Sequence, residues 1–405
     1  MSDYTLNPID GGLSTVDGFY CDGVNVGMRT NPANSGSSDP DGDVAFIRSD
    51  VLCNVEALFT ANRFPAAPIR HFRRYPEGFQ TDFLLINAKN ANAMTGEAGI
   101  RDIDTIMDAL ASRYTVTNPI MSSTGVIGYR LPVQQIVTAF DRWDFEAKNS
   151  DAAARAILTT DTFKKERACE VILPDGTSFR LAAIAKGAGM INPAMATMLC
   201  FVVTDAAIPE SEMRSLLTDA TDRSFNRISV DGDTSTNDTV MLLANGKSGA
   251  YDRAAFAAAL QEMLFDLAMM ILRDGEGSTK VVAFEVTGAA SEAEARRAAV
   301  ALSQSLLVKT ALFGEDPNWG RIASTIGASG VACDEERLVI RYDDLLIYDA
   351  QHRQLDPQRE EAANAIMQRS SFTVTCDLGM GSGDFTAYGC DLSYDYVKIN
   401  AEYRT

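Results

Sequence analysis

The chain has 405 residues, 46% of them hydrophobic and 22% charged, which fits a folded protein of about two to three domains and excludes global disorder. Its formal charge of −19 would be repelled by nucleic acid and by an anionic membrane surface, so neither is expected as a partner. Seven scattered cysteines, Cys21, Cys53, Cys169, Cys200, Cys333, Cys376 and Cys390, never form a C-x-x-C pair and fit reduced thiols in the cytoplasm.

The first residues, MSDYTLNPIDGG, have neither a basic nor an apolar targeting region, so no secretion signal is expected. Glycine, serine, asparagine, proline and aspartate dominate from Asp10 to Asp43, and Asn31 to Asp43 reads as a surface loop. Val44 to Ile47 and Val55 to Phe59 read as two short strands, and Phe83 to Ile86 as a stronger one. The amide-rich turn Asn87-Ala88-Lys89-Asn90-Ala91-Asn92 follows, with a structural role as its plainest reading. Ile103, Ile106, Met107 and Leu110 repeat at helical spacing and predict a helix from Asp102 to Ser112. In Ser122-Ser123-Thr124-Gly125, small hydroxyl residues beside a glycine supply the donors of an oxyanion hole, but a tight turn needs the same residues.

Val171 to Leu173 and Phe179 to Ile184 flank Pro174-Asp175-Gly176, a hairpin signal leading into Lys186. Past the glycine-bearing turn Gly187-Ala188-Gly189 and Pro193, Thr197 stands before Met198 to Val203, an apolar run with the length and β-branched content of a buried strand. Arg227 to Val230 reads as another strand. The segment Asp231 to Thr239 lacks the EF-hand glycine and terminal acid, which leaves a hydrogen-bonded turn as the better reading than a calcium site. Pro209 fits a first helical position, with Met213, Leu216 and Leu217 on one face. Asp252 to Arg273 predicts a long helix, apolar nearly all round, whose Glu262 and Asp266 argue for a buried core helix over a membrane span. After Gly277 the pattern alternates: strand Val281 to Val286, a capping box at Ser291 opening a helix, strands Leu338 to Tyr342 and Leu345 to Tyr348, helix Gln358 to Arg369, strand Phe372 to Cys376. Tyr394 to Asn400 again reads as strand.

The chemistry-bearing residues narrow by elimination. With only His71 and His352, neither at a metal-ligand spacing, a Ser-His-Asp triad and a zinc hydrolase are not expected. No P-loop occurs, and Gly187-Ala188-Gly189 lacks the third glycine of a dinucleotide fingerprint. A catalyst short of histidine finds a base in an N-terminal threonine, whose α-amine, with an ordinary pKa of about 7.7 to 8.0, accepts the proton of its own hydroxyl. Thr197 would serve only after cleavage of the Ala196-Thr197 bond by an N-to-O acyl shift and ester hydrolysis; local sequence permits this, and an ordinary strand residue fits the position as well.

KGAGMINPAMATML (Lys186 to Leu199) resembles the self-cleavage motif of the ornithine acetyltransferases, also called bifunctional glutamate N-acetyltransferases, of arginine biosynthesis. The likeness extends to SSTGVIG (Ser122 to Gly128), TTDTFKK (Thr159 to Lys165), SFNRISVDGDTSTNDT (Ser224 to Thr239), GEDPNWGRI (Gly314 to Ile322) and YVKINAEYRT (Tyr396 to Thr405). The resemblance implies an α/β (mixed α+β) fold, a layered helix–sheet sandwich similar to N-terminal-nucleophile hydrolases with a smaller second α/β domain. Residues 1–276 would form the catalytic domain, 277–390 the smaller one, and 391–405 a strand and tail returning to the site. It further implies cleavage between Ala196 and Thr197, an α2β2 heterotetramer of the two products, and transfer of acetyl from N2-acetylornithine to glutamate through acetyl-Thr197.

By motif position Thr124 and Gly125 look like the oxyanion hole, and Thr159, Lys186, Thr197, Glu276, Asn400 and Thr405 like substrate contacts. No metal and no cofactor are implied, and acetyl-CoA stays open as a second acetyl donor. One departure concerns the turn at Lys89, where the family usually has glycine, so that a left-handed backbone there would be strained or the turn different. Two rival readings remain: an N-terminal-nucleophile amidohydrolase or aminopeptidase using water, or a relative from an antibiotic pathway. A calcium-binding protein is a third, of another class.

Overall fold

The structure is a computed structural model that describes residues 4–28, 42–192 and 198–402. Its first strands are β1 (Thr5–Pro8), β2 (Phe19–Val24), β3 (Val44–Phe59), β4 (Gln80–Asn87) and β5 (Ile120–Ser123), interleaved with helices α1 (Ala67–Phe72) and α2 (Gly96–Ala111). Helices α3 (Val133–Ala139) and α4 (Ser150–Ala156) lead to β6 (Lys165–Ile172), β7 (Ser178–Lys186) and β8 (Leu199–Thr204). Next come α5 (Glu210–Asp222), β9 (Ile228–Ser229), β10 (Thr239–Ala244) and α6 (Arg253–Arg273).

Among the described residues the larger sheet has nine strands in the order β1-β6-β7-β8-β10-β3-β4-β5, with β2 also paired to β3. Where two strands were expected between Val44 and Phe59, one long β3 runs through both. Its register shifts between Arg48 and Cys53; the first part pairs with β2 and β4, the last part with β10. That irregularity lets one strand serve two halves of a bent sheet, which a strand-by-strand reading of periodicity does not foresee.

The two halves face each other across a shared core containing Ala45, Ile47, Leu84 and Ile86 from one side and Leu199, Phe201, Val203 and Met241 from the other. Helices α2 and α3 cover the outer face of the first half, where Phe46, Phe83 and Leu85 meet Ile103, Ile106 and Leu110. Helices α5 and α6 cover the outer face of the second, where Cys200, Val202 and Leu242 meet Leu217, Leu264 and Leu267. The result is helix, sheet, sheet, helix, a mixed α/β sandwich as expected. Helix α6 is long and apolar enough to cross a membrane by length and composition, yet its core-facing residues are buried in this sandwich. It starts at Asp252, whose carboxylate accepts the Ala255 N–H at 2.8 Å. Pro209 precedes α5 as its cap rather than occupying the first helical position.

All six residues of β8 are buried, as expected of a strand with β-branched residues on both faces. It pairs antiparallel with β7, so that Lys186 lies opposite Leu199, and parallel with β10, so that Thr239 lies opposite Leu199.

The remaining elements are β11 (Val281–Ala289), α7 (Glu292–Gln304), α8 (Leu306–Phe313), α9 (Trp319–Ala328), β12 (Val339–Tyr342), β13 (Leu345–Tyr348), α10 (Pro357–Met367), β14 (Ser371–Asp377), β15 (Gly383–Cys390) and α11 (Tyr394–Glu402). Among the described residues a six-stranded sheet, β13-β12-β14-β11-β15-β9, has its own core with α7 and α9. Its strand β9 comes from before Gly277 and has only two residues, shorter than the strand expected from Arg227 to Val230.

The run after Tyr394 is a helix and not the expected strand. β15 has β11 along one side and meets β9 on the other only at Tyr388 and Gly389, so strand pairing does not decide the run that follows. Ser393 instead accepts the Asp395 N–H at 3.2 Å and donates to Gly277 O at 2.6 Å, which starts α11 against the turn after α6.

Candidate active site

A cleft of about 360 Å³ opens where β7, the end of β5, the turn after α6 and helix α11 converge. Thr124, Gly125, Thr159, Lys186, Glu276 and Asn400, all singled out by motif position, line it. Ala196, Thr197 and Thr405 lie outside the described residues. The nearest described neighbour of Thr197, Met198, lies immediately before β8 and is buried.

Lys186 ends β7 with 3% of its surface exposed. Its Nζ donates to Thr159 Oγ1 at 2.7 Å and to Thr124 Oγ1 at 3.3 Å, and lies 3.9 Å from Asp161 Oδ2. Burial draws its pKa down and the Asp161 carboxylate opposes that pull. A second lysine, Lys165, has no exposed surface and bridges Asp161 Oδ1 at 2.7 Å and Asp274 Oδ2 at 2.6 Å. Asp161 also accepts the Gly187 N–H at 2.7 Å, and Asp274 the Thr162 N–H and hydroxyl. Burial alone would raise the Asp161 carboxyl, but Lys186, Lys165 and the Gly187 amide outweigh it and hold the pKa down to about 2. This buried chain of charges fixes Lys186 from one side and, through Asp274, the turn carrying Glu276 from the other.

Glu276 sits with its backbone N–H on Ala188 O at 2.9 Å. Gly189 faces it so closely that a Cβ there would lie 2.6 Å from the Glu276 carboxyl carbon and would push that side chain aside. Asn400, on α11, donates to Glu276 Oε2 at 2.7 Å. Lys186 and Glu276 thus put one cation and one carboxylate on the same cleft.

Thr124 follows β5, and its backbone N–H is already engaged by Asn87 O at 3.0 Å. The donors left to this dipeptide are therefore the Thr124 hydroxyl, whose oxygen accepts a hydrogen bond from Lys186 Nζ, and the Gly125 N–H. Gly125 has φ of 129°, and a Cβ there would lie 2.2 Å from the carbonyl carbon of Lys89. The Asn87 to Asn92 turn is what it packs on. Lys89 adopts φ of 69° and Asn92 48°, so the turn takes the left-handed backbone despite the missing glycine, at a cost of about 1 kcal/mol for a residue with Cβ. Ser123 donates to Asn87 Oδ1 at 2.6 Å, and Asn237 holds Ala91 O at 2.7 Å and Ser123 O at 2.8 Å. The amide side chains brace the end of β5, in keeping with their structural reading.

Sequence reasoning did not place Asp231, Asp233, Thr234, Met190 and Tyr396 at the cleft, although all line it. Asp231 accepts the Met190 and Ile191 N–H groups at 2.7 and 2.9 Å, so the segment read as a hydrogen-bonded turn is one, and it closes back on the Gly187 to Ile191 loop. Burial raises the Asp231 pKa against these amide bonds. The dense polar run Asp231 to Thr239 was the available signal.

The family model described as the ArgJ family matches residues 22–405. The chain belongs to the ArgJ family. A relative in Wolinella succinogenes, the arginine biosynthesis bifunctional protein ArgJ, is 56% identical over 403 residues, covering 99% of this chain and 100% of that one. The glutamate N-acetyltransferase of Methanopyrus kandleri is 41% identical over 377 residues, covering 89% and 95%. Among solved structures, the ArgJ protein of Bacillus halodurans is 42% identical with a TM-score of 0.47, covering 50% of this chain and 98% of that one.

Proposed function

We propose that this ArgJ-family chain is a glutamate N-acetyltransferase of arginine biosynthesis that moves the acetyl group of N2-acetylornithine to glutamate through an acetyl ester on Thr197. The observation that supports it most is the joint lining of one cleft by Lys186, Glu276, Thr124 and Gly125, with the strand that begins after Thr197 running beside Lys186. Cleavage between Ala196 and Thr197 frees the Thr197 amine. That amine takes the hydroxyl proton as the oxygen attacks the acetyl carbonyl, and the Thr124 hydroxyl and Gly125 N–H receive the oxyanion. The amide C–N bond breaks, ornithine leaves, and the glutamate amine attacks the ester by the reverse route.

Lys186 pairs with the substrate α-carboxylate, with Thr159 orienting its ammonium, and Glu276 pairs with the side-chain ammonium of ornithine. Asn400 aligns Glu276, and Thr405 completes the substrate contacts. The reaction so written needs no metal and no cofactor. The cleaved chains remain together as an α2β2 heterotetramer in the cytoplasm, acting on small amino-acid substrates.

Incubation with N-acetylornithine, with and without glutamate, tests the proposal. Ornithine release that depends on glutamate and yields acetylglutamate is expected; release at the same rate without glutamate would make the enzyme an amidohydrolase. Acetyl-CoA in place of N-acetylornithine separates a two-donor from a one-donor enzyme.

A further inference from the structure

The two substrates proposed above carry opposite charges at their side-chain ends. The same number of bonds separates the α-carbon from the side-chain nitrogen of ornithine and from the side-chain carboxylate oxygens of glutamate. With each α-carboxylate on Lys186, a glutamate oxygen therefore arrives where the ornithine nitrogen stood, facing Glu276. Like charges that close repel. Asp231, Asp233 and Glu276 all line the cleft, and Lys186 is the one cation among its lining residues. Recognition of the glutamate side chain therefore falls to neutral donors.

Most donors at the cleft are engaged. Asn400 Nδ2 uses both hydrogens, on Glu276 Oε2 at 2.7 Å and on Tyr396 O at 3.0 Å. Thr159 stands at the Lys186 end, and Thr124 and Gly125 form the proposed oxyanion hole. Two other hydroxyls differ. Tyr396 lies one turn before Asn400 on α11, so both face the cleft. Its hydroxyl reaches Asp231 Oδ2 at 3.3 Å, long for an O–H···O bond, and Asp231 already accepts the backbone N–H groups of Met190, Ile191 and Asp233 at 2.7, 2.9 and 3.2 Å. Asp231 thus does not depend on the phenol. Burial first, then the carboxylates of Asp231, Glu276 and Asp233, push the Tyr396 pKa up, so the phenol keeps its proton. Thr234 Oγ1 accepts Asn192 Nδ2 at 3.1 Å, and Gln304 on α7 fixes Asn192 by donating to its Oδ1 at 2.9 Å. The Thr234 hydroxyl hydrogen has no acceptor among the described residues and is left for the cleft.

We propose that the hydroxyls of Tyr396 and Thr234 receive the side-chain carboxylate of glutamate, an inference that rests on the transfer from N-acetylornithine to glutamate proposed above. Glu276 holds the ornithine ammonium. When glutamate enters, Tyr396 turns its hydrogen from Asp231 to the incoming carboxylate and Thr234 donates beside it. The carboxylate is drawn toward the turn that carries Thr234 and away from Glu276. One cleft thus takes a cationic side chain and an anionic one on different walls, with no residue changing its charge. Tyr396 and Thr234 are specificity residues for the second half of the transfer.

The two half-reactions of the full-length enzyme test this. Acetyl loading from N-acetylornithine and acetyl discharge by glutamate are followed by mass in wild type, Tyr396→Phe, Thr234→Val and Thr234→Ser. Tyr396→Phe and Thr234→Val are each expected to raise the glutamate concentration for half-maximal discharge about ten- to hundredfold, and the N-acetylornithine concentration for half-maximal loading less than about threefold. Thr234→Ser keeps the hydroxyl and is expected to recover most of the glutamate affinity lost in Thr234→Val. Loss confined to discharge and recovered in Thr234→Ser supports the proposal even if the variants melt lower. Equal loss in both half-reactions overturns it, as does a wild-type glutamate dependence in either Tyr396→Phe or Thr234→Val. Wild-type discharge at the same rate without glutamate would instead remove the transfer reading, and this inference with it.

Discussion

Asn400 Nδ2 donates to Glu276 Oε2 at 2.7 Å, so a residue of the last helix orients the carboxylate that follows the longest one. The bond joins α11, which has no buried residue of its own, to the turn at the end of α6. Replacing Glu276 by glutamine keeps the shape and removes the charge. A charged hydrogen bond contributes about 1.5 to 3 kcal/mol, so kcat/KM for N-acetylornithine is expected to fall roughly ten- to hundredfold, mostly through KM. Asn400→Ala, which leaves the charge but not its alignment, is expected to lose only a few-fold. Steady-state kinetics of the two variants checks the order.

Gly125 and Gly189 both face groups too close for a Cβ, but the groups differ. At Gly125 the obstacle is the Lys89 backbone and φ is 129°, so Gly125→Ala must move the turn and with it the N–H proposed as an oxyanion donor. Loss of one such donor lowers kcat by about a hundred- to a thousandfold. At Gly189 the obstacle is the Glu276 carboxylate, the end of a flexible side chain, so Gly189→Ala is expected to raise KM with a smaller change in kcat. Comparing kcat and KM for the two alanine variants measures the difference.

Lys165→Met leaves Asp161 and Asp274 buried without their shared cation. Breaking a buried pair from one side costs about 3 to 5 kcal/mol, so a marked drop in the denaturation midpoint is expected. Activity should fall as well, because Lys165, though it does not line the cleft, holds Asp161 and Asp274, which fix Lys186 and the turn of Glu276.

Acid should act through the same cluster. Asp161 titrates at about 2 in the fold and near ~3.9 when unfolded, so its pairing stabilises the protein above pH ~4, by on the order of 2 kcal/mol. That contribution fades as pH falls from ~4 through about 2. Denaturation midpoints measured down this range are expected to drop in wild type and to drop less in Asp161→Asn.

The parts of the fold set by local pattern were legible in the sequence. The apolar run after Thr197 became β8, the Pro174-Asp175-Gly176 turn joined β6 to β7, and Ser291 caps α7, accepting the Glu294 N–H at 3.3 Å. Tyr394 to Asn400 misled because its aromatic and β-branched residues favour strands, while the contact that starts the helix, Ser393 on Gly277 at the turn after α6, is tertiary. The same holds at the site. Motif position named Lys186 and Glu276, but nothing local links Lys165 to Asp274, 109 residues away, or Asp238 to Met198, 40 residues away. Those contacts exist only once β6, β8 and β10 lie in one sheet.

The most direct measurement is the mass of the chain beginning at Thr197 after brief exposure to N-acetylornithine without glutamate, followed by acid quench. The account predicts one added acetyl group, mapped to Thr197, discharged when glutamate is supplied and absent in Thr197→Ala. An active enzyme whose 197–405 chain never gains an acetyl group, or which acts as one uncut chain, would contradict it.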